Sequence, residues 1–278
     1  MSARMSTHSA RGFTLLEMVL AMVIGSIILV FVSMFIIAPV DTYAAHNQRA
    51  VLVSNASTAW PRMEADIRRA LPNSVRWRRN GNIVVLEMLN TVGFARYSQP
   101  PNTANFLVAG TTSGVFGTYV PGNTLNRVHL SVNNAGQGAY TQTVSMTPQL
   151  NNVQLVANGT AGEAQVQLAV AQPGLNINSP RNRVYLVDVP ITYLCNEPQG
   201  TLTRYAGYPI AALQASRDTP AELAGSTSSE VVARGLTTCR FDTQIGVGRP
   251  ENVAVQLTST RGNESVVLLN NATVENLP

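Results

Sequence analysis

The chain has no lysine: every one of its 19 basic side chains is arginine, a bias we assign to genomic base composition rather than to function. Charge is sparse, at 12% of 278 residues, and there are only two cysteines and three histidines. The histidines, His8, His46 and His129, are too widely spread to form a metal-ligand pattern, and the cysteines are not a C-x-x-C pair. Catalytic motifs are missing as well. In Gly110-Thr111-Thr112-Ser113-Gly114 the serine stands one position late for a nucleophile elbow. Gly246-Val247-Gly248 lacks the third glycine of a dinucleotide loop. Asp188 and Asp242 read as partners for arginine rather than as a catalytic pair. Neither an enzyme nor a cofactor is expected. The many Asn, Thr, Ser, Gln and Gly residues suit an extracytoplasmic, β-rich domain, and no fixed-period repeat runs through them. Four N-x-S/T sequons, beginning at Asn55, Asn158, Asn263 and Asn271, follow from that composition.

Against this background one apolar run stands out. Met18 to Ala38 is broken only by Gly25, Ser26 and Ser33, and the next charge is Asp41. At 1.5 Å per residue this length crosses a hydrocarbon core of ~30 Å. Arg4 and Arg11 precede the run, which places the N-terminus in the cytoplasm and the bulk of the chain on the other side. A secretory signal peptide would have an apolar region of about 7 to 15 residues ending at small residues. Tyr43-Ala44-Ala45 is a poor match to such a site. A plain signal anchor fits the length but leaves Glu17 unexplained, since an acid at a helix centre in hydrocarbon costs roughly 2.5 to 3.5 kcal/mol.

The heptapeptide Gly12-Phe13-Thr14-Leu15-Leu16-Glu17-Met18 resembles the processing site of type IV prepilins and pseudopilins. The resemblance implies that a prepilin peptidase cuts between Gly12 and Phe13 and that the new N-terminus, Phe13, is N-methylated. It further implies that Glu17 pairs with the Phe13 amine of a neighbouring subunit as helices stack into a filament. Opposite charges brought together in low dielectric offset the cost of burying each alone. Cleavage would remove Arg4 and Arg11, leaving 17 arginines against 15 acids, so the sequence pI near 9.4 argues little for a nucleic-acid partner.

Cys195 and Cys239 lie in the part expected to be exported, where an oxidising compartment favours a disulfide; two unpaired buried thiols are the alternative. Pairing would contribute about 3 to 4 kcal/mol in the chain-entropy model.

Along the chain, Pro39 predicts a kink or break at the membrane exit, after which helical sequence resumes from Asp41 towards Leu71. Trp60, Met63, Ile67 and Leu71 form an apolar stripe suited to lying on a sheet, Glu64 and Arg68 are spaced i, i+4, and Pro61 marks a second kink or restart. Pro72-Asn73 is expected to end the helix. A hairpin about Asn80-Gly81 follows. Further strands are expected at 127–132, 153–156, 164–171, 183–195, 231–243, 252–258 and 264–269, with long loops near 98–124 and 206–230. Arg76, Arg78 and Arg79 beside Trp77 read as solvated strand residues rather than as a polyanion contact.

The expected fold is α+β, type IV pilin-like: a long N-terminal helix packed on an antiparallel β-sheet domain. The divisions are a leader at 1–12, a transmembrane and assembly helix at 13–38, a periplasmic half-helix at 39–72 and a β-rich globular domain at 73–278. The segments Ala38-Pro39-Val40, Ala70 to Arg76, Tyr193-Leu194-Cys195, Leu202 to Tyr205, Cys239-Arg240-Phe241 and Val274 to Pro278 are similar to those of MshO-type minor pilins of mannose-sensitive haemagglutinin pili, themselves related to J-type minor pseudopilins of type II secretion. That resemblance implies other pilins, prepilin peptidase and the inner membrane as partners.

Overall fold

The computed structural model describes residues 14–109, 124–134, 138–175, 178–244, 251–262 and 264–275, without the side chains of 34–48, 55 and 56. Gly12, Phe13, His8, the sequon residue Asn263 and the glycine motifs at 110–114 and 246–248 lie outside the described residues. Two compact units are distinguished, 1–50 and 51–278.

Helix α1 spans Leu15–Ser57 and carries through Pro39, so of the kink or break expected there the break does not occur. Proline removes one backbone donor, but its ring holds a φ compatible with helix, so the helical path can continue beyond it. Helix α2, Trp60–Arg68, begins after an interruption at Thr58 and Ala59 and has Pro61 in its first turn, where the absent N–H would have had no partner. This is the expected restart. Met63 and Ile67 are fully buried, and Glu64 pairs with Arg68 at 2.7 Å. The helix stops at Arg68, three residues before Leu71. There the backbone is taken over by pairing: Leu71 N–H donates to Leu89 O at 2.7 Å and Thr91 N–H to Arg69 O at 2.9 Å.

Thirteen strands are described. They are β1 Arg76–Asn80, β2 Ile83–Tyr97, β3 Asn105–Ala109, β4 Thr124–Leu125, β5 His129–Ser131, β6 Val153–Ala157, β7 Glu163–Gln167, β8 Arg183–Asn196, β9 Thr201–Ala206, β10 Ser228–Arg234, β11 Thr238–Gln244, β12 Asn252–Arg261 and β13 Glu264–Thr273. Every pairing is antiparallel. The large sheet runs β10-β9-β8-β2-β3-β7-β6-β4, with β1 on β2 and β5 on β8; the small sheet runs β11-β12-β13. An apolar helix followed by an antiparallel β domain is the α+β order expected.

Three expectations need correction. The hairpin exists, but Asn80 pairs with Ile83, so its turn is Gly81-Asn82, with Gly81 at φ +56°. Glycine first is the pattern of a type II′ turn, matched to strand twist. The stretch 231–243 is two strands in different sheets, separated at Gly235, whose φ of +73° breaks the extended run. Strands β3, inside the supposed 98–124 loop, and β9 were not foreseen.

Four hydrophobic clusters of described residues fill the globular unit, two of them large. Met63, Ile67, Leu86, Met88, Tyr193, Phe241, Val255 and Leu257 join α2, the centre of the large sheet and the small sheet. Phe106, Val108, Leu130, Leu155, Val166 and Leu186 form the other, under β3, β6 and β7. β2 and β8, the longest strands, read as nearly continuous buried runs because both of their faces are covered.

Candidate membrane and assembly site

Helix α1 starts immediately after Thr14, and the Thr14 Oγ1 accepts the Glu17 backbone N–H at 3.3 Å. Threonine at the N-cap with glutamate three residues on is the capping-box spacing. A carboxylate in the first turn also faces the positive end of the helix dipole. These local roles were missed in the sequence, although T-x-x-E before an apolar run signals them. Glu17 is therefore compatible with the helix start by itself, before any neighbour is considered.

From Leu15 to Ser33 the helix is long and apolar enough to cross a membrane by length and composition, and none of that stretch is buried within the chain. Leu15, Leu16, Leu20, Met22, Leu29 and Phe31 are exposed, on all sides of the helix. Its two serines are internally satisfied: Ser26 Oγ donates to Val23 O and Ser33 Oγ to Val30 O, both at 2.8 Å. An unsatisfied hydroxyl would be costly in hydrocarbon; a hydroxyl bonded back to its own helix is not.

The globular unit contains two buried ion-pair networks. Asp66 of α2 is fully buried; its Oδ2 accepts Arg204 Nε of β9 at 2.6 Å and the Tyr193 hydroxyl of β8 at 2.7 Å. Burial, then the Asp66 charge, pushes the Tyr193 phenol well above its ordinary value. The second network centres on Glu87 of β2, also fully buried, which accepts Arg76 Nε at 2.7 Å and the Tyr208 hydroxyl at 3.1 Å. Desolvation raises the Glu87 carboxyl despite the Arg76 charge.

Arg76 is thus not the solvated strand arginine expected. Its two terminal nitrogens donate to Ala211 O and Ala212 O at 2.8 Å each, and its guanidinium lies 3.5 Å from the centroid of the Tyr140 ring. Arg78 pairs with the buried Asp218 at 2.8 Å and Arg79 with Glu197 at 3.0 Å. All three arginines are committed to partners in this chain, and two of them hold the segment after β9 against β1. Hydrogen bonding by Arg79 holds the Glu197 carboxyl below its ordinary value.

Cys195 of β8 and Cys239 of β11 form a disulfide with Cα atoms 6.3 Å apart, which ties the large sheet to the small one. His129 is buried, with Nδ1 3.0 Å from Thr147 O, and desolvation lowers its pKa. It lines a cavity of about 360 Å³ with Arg127 and Asp188. Asp188, expected to meet an arginine, accepts Asn90 Nδ2 at 2.8 Å and Val189 N–H at 2.6 Å instead. Among the described residues, no group of three or more His, Cys, Asp and Glu side chains is placed to hold a metal ion.

Residues 7–38 match the family model described as the prokaryotic N-terminal methylation motif. The matched stretch includes Gly12, Phe13 and Glu17, and it supports the type IV pilin and pseudopilin family, whose members are processed by prepilin peptidase. No curated protein and no solved structure matches the chain.

Proposed function

We propose that the protein is a minor pilin or pseudopilin, a membrane-stored subunit that helps to initiate or prime assembly of a type IV pilus of the mannose-sensitive haemagglutinin kind. The observation that carries this reading is a methylation-motif match over 7–38 coinciding with a bare apolar helix that has one acid in its first turn. In this reading prepilin peptidase cuts after Gly12, Phe13 becomes the methylated N-terminus, and the helix keeps the subunit in the inner membrane until assembly. The N-terminus is cytoplasmic and residues beyond the helix are periplasmic. Glu17 then meets the Phe13 amine of a neighbour. A lone carboxylate with one lone amine per subunit also fixes the axial stagger, because only one register brings them together.

The choice of the haemagglutinin pilus over a minor pseudopilin of type II secretion rests on the short similar segments. Tyr193 and Arg204 both bind Asp66, and Cys195 binds Cys239, so these motifs hold the fold together rather than forming a surface for a partner. A signal-anchored adhesin or periplasmic enzyme is the rival of a different class; it has no use for Glu17 beyond the helix cap.

That difference gives the test. Glutamine also fits the third helical position of a capping box, so Glu17→Gln keeps the cap and removes the charge. Glu17→Ala removes both. Cells lacking the native protein are complemented with each variant, and assembled subunits are measured in sheared surface filaments. We expect both variants to be cleaved normally and both to fail in assembly. Full assembly with Glu17→Gln would assign the residue to capping and reject the charge pairing.

A further inference from the structure

Among the described residues three arginines are buried, Arg76, Arg183 and Arg204, at 6%, 8% and 8% exposure. Burying a guanidinium is costly unless a carboxylate and further acceptors receive it. Arg76 meets Glu87 at 2.7 Å, and Arg204 meets Asp66 at 2.6 Å. Arg183, the first residue of β8, is the exception. It takes part in none of the described ion pairs, and its Nε is buried without a hydrogen-bond partner.

The register places a second cation beside it. Arg96 of β2 is the direct cross-strand partner of Arg183, so both side chains leave the same face of the sheet. Their neighbours Ala95, Tyr97 and Val184 take the opposite face, inside the core. Arg96 is exposed and also absent from the described ion pairs. Like charges directly opposite on a sheet destabilise it. Arg181, exposed and two positions before Arg183, adds a third positive charge. The first carboxylate along the row is Glu163, beyond Ala109 of β3 and about 10 Å from Arg96 at ~4.8 Å per strand. It accepts Asn158 Nδ2 at 3.1 Å. On the adjacent row Phe94 opposes Tyr185, with ring centroids 6.2 Å apart, so apolar surface flanks the two arginines.

We propose that Arg96 and Arg183 form a phosphate-binding site. Two guanidiniums present two charges and two planar forks of donors. One carboxylate would fill one fork and leave a net positive charge. A phosphate ion or monoester carries about two negative charges at neutral pH and has at least three acceptor oxygens, enough to bridge both forks. Beside apolar surface such hydrogen bonds gain strength, because the local dielectric is low. The site lies wholly in the β domain and does not depend on the role of the N-terminal helix.

The test uses the full chain in detergent micelles, in phosphate-free buffer at constant ionic strength, with urea unfolding followed by tryptophan fluorescence. Added inorganic phosphate should raise the wild-type midpoint in a saturable manner, since a ligand of the native state alone stabilises it. Arg183→Met removes the buried charge at similar length. Without phosphate its midpoint should equal or exceed that of wild type, and phosphate should add no saturable increment. Arg96→Gln should weaken the apparent affinity about tenfold or more, whereas Arg62→Gln, at an exposed arginine of α2, should leave it unchanged. Glycerol 3-phosphate is titrated in parallel; whichever of the two binds more tightly identifies a monoester or the free ion as the preferred ligand, and either order supports the site. An increment as large in Arg183→Met as in wild type would be the general effect of phosphate salts on folding and would overturn the proposal. So would an equal response to acetate, or an Arg183→Met midpoint well below wild type, which would make Arg183 a structural residue.

Discussion

Glu251 makes a prediction whose sign runs against the usual behaviour of a carboxylate. It is 3% exposed and lies immediately before β12. Its Oε2 accepts the Asn73 N–H at 2.9 Å, and the Val75 N–H also bonds to the carboxyl. Its Oε1 is buried with no partner among the described residues. Burial outweighs the two backbone donors and raises the pKa to about 7 from 4.5. The native state therefore holds a proton that the unfolded chain has already lost between pH 4.5 and 7. Stability from this group is fully present below pH 4.5, falls as pH rises to about 7, and is level above that. At about 1.4 kcal/mol per pH unit the loss is at most about 3 kcal/mol. Glu251→Gln keeps the acceptor for Asn73 and cannot ionise. Urea unfolding of the full chain in micelles, followed by tryptophan fluorescence from pH 5 to 8, should show nearly equal stabilities at pH 5. At pH 8 the variant should be the more stable, by about 2 to 3 kcal/mol. Glu87 has a raised pKa as well, but it is present in both proteins and cancels in the difference. A wild-type-to-variant difference that does not change with pH would refute the reasoning.

Two further predictions concern the buried framework. Asp66→Ala leaves Arg204, only 10% exposed at its side chain, without its carboxylate and should destabilise the globular unit by about 3 to 5 kcal/mol in the same urea assay; a loss below 1 kcal/mol would mean that water replaces the pair. Replacing Cys195 and Cys239 together by alanine releases a connection across 44 positions and should cost about 4 kcal/mol, read as a lower urea midpoint, while N-terminal processing proceeds unchanged.

The long apolar helix was legible in the sequence because its signal is one-dimensional: length, apolarity and one acid near its start need no tertiary context. The part of the stripe on the helix, Trp60, Met63 and Ile67, and the Glu64–Arg68 pair were legible for the same reason, being set by helical spacing; Leu71 is buried in another cluster, beyond the helix end. The helix end at Arg68 was not, because β2 captures the backbone of Arg69 and Leu71 from residues twenty positions away. Strand β9 has a clear alternation, buried at Leu202, Arg204 and Ala206, but an arginine on the buried side masks it. Arg204 is buried because Asp66, 138 residues earlier, receives it. Arg76 misled in the same manner. Three arginines around a tryptophan look solvated until Glu87 and the carbonyls of Ala211 and Ala212 are brought to one of them. Polar residues with distant partners are where local pattern and final burial part company.

The most direct measurement is the mass of the mature N-terminus. The full chain is produced in membranes with and without a prepilin peptidase, and its N-terminal peptide is identified by mass spectrometry. The account predicts that the peptidase converts the chain to one beginning at Phe13, with a methyl group on that amine, and that Gly12→Val, which adds a β-branched side chain at the cleaved bond, blocks conversion. A chain that keeps its first twelve residues beside an active peptidase, or is cut elsewhere than after Gly12, would contradict it.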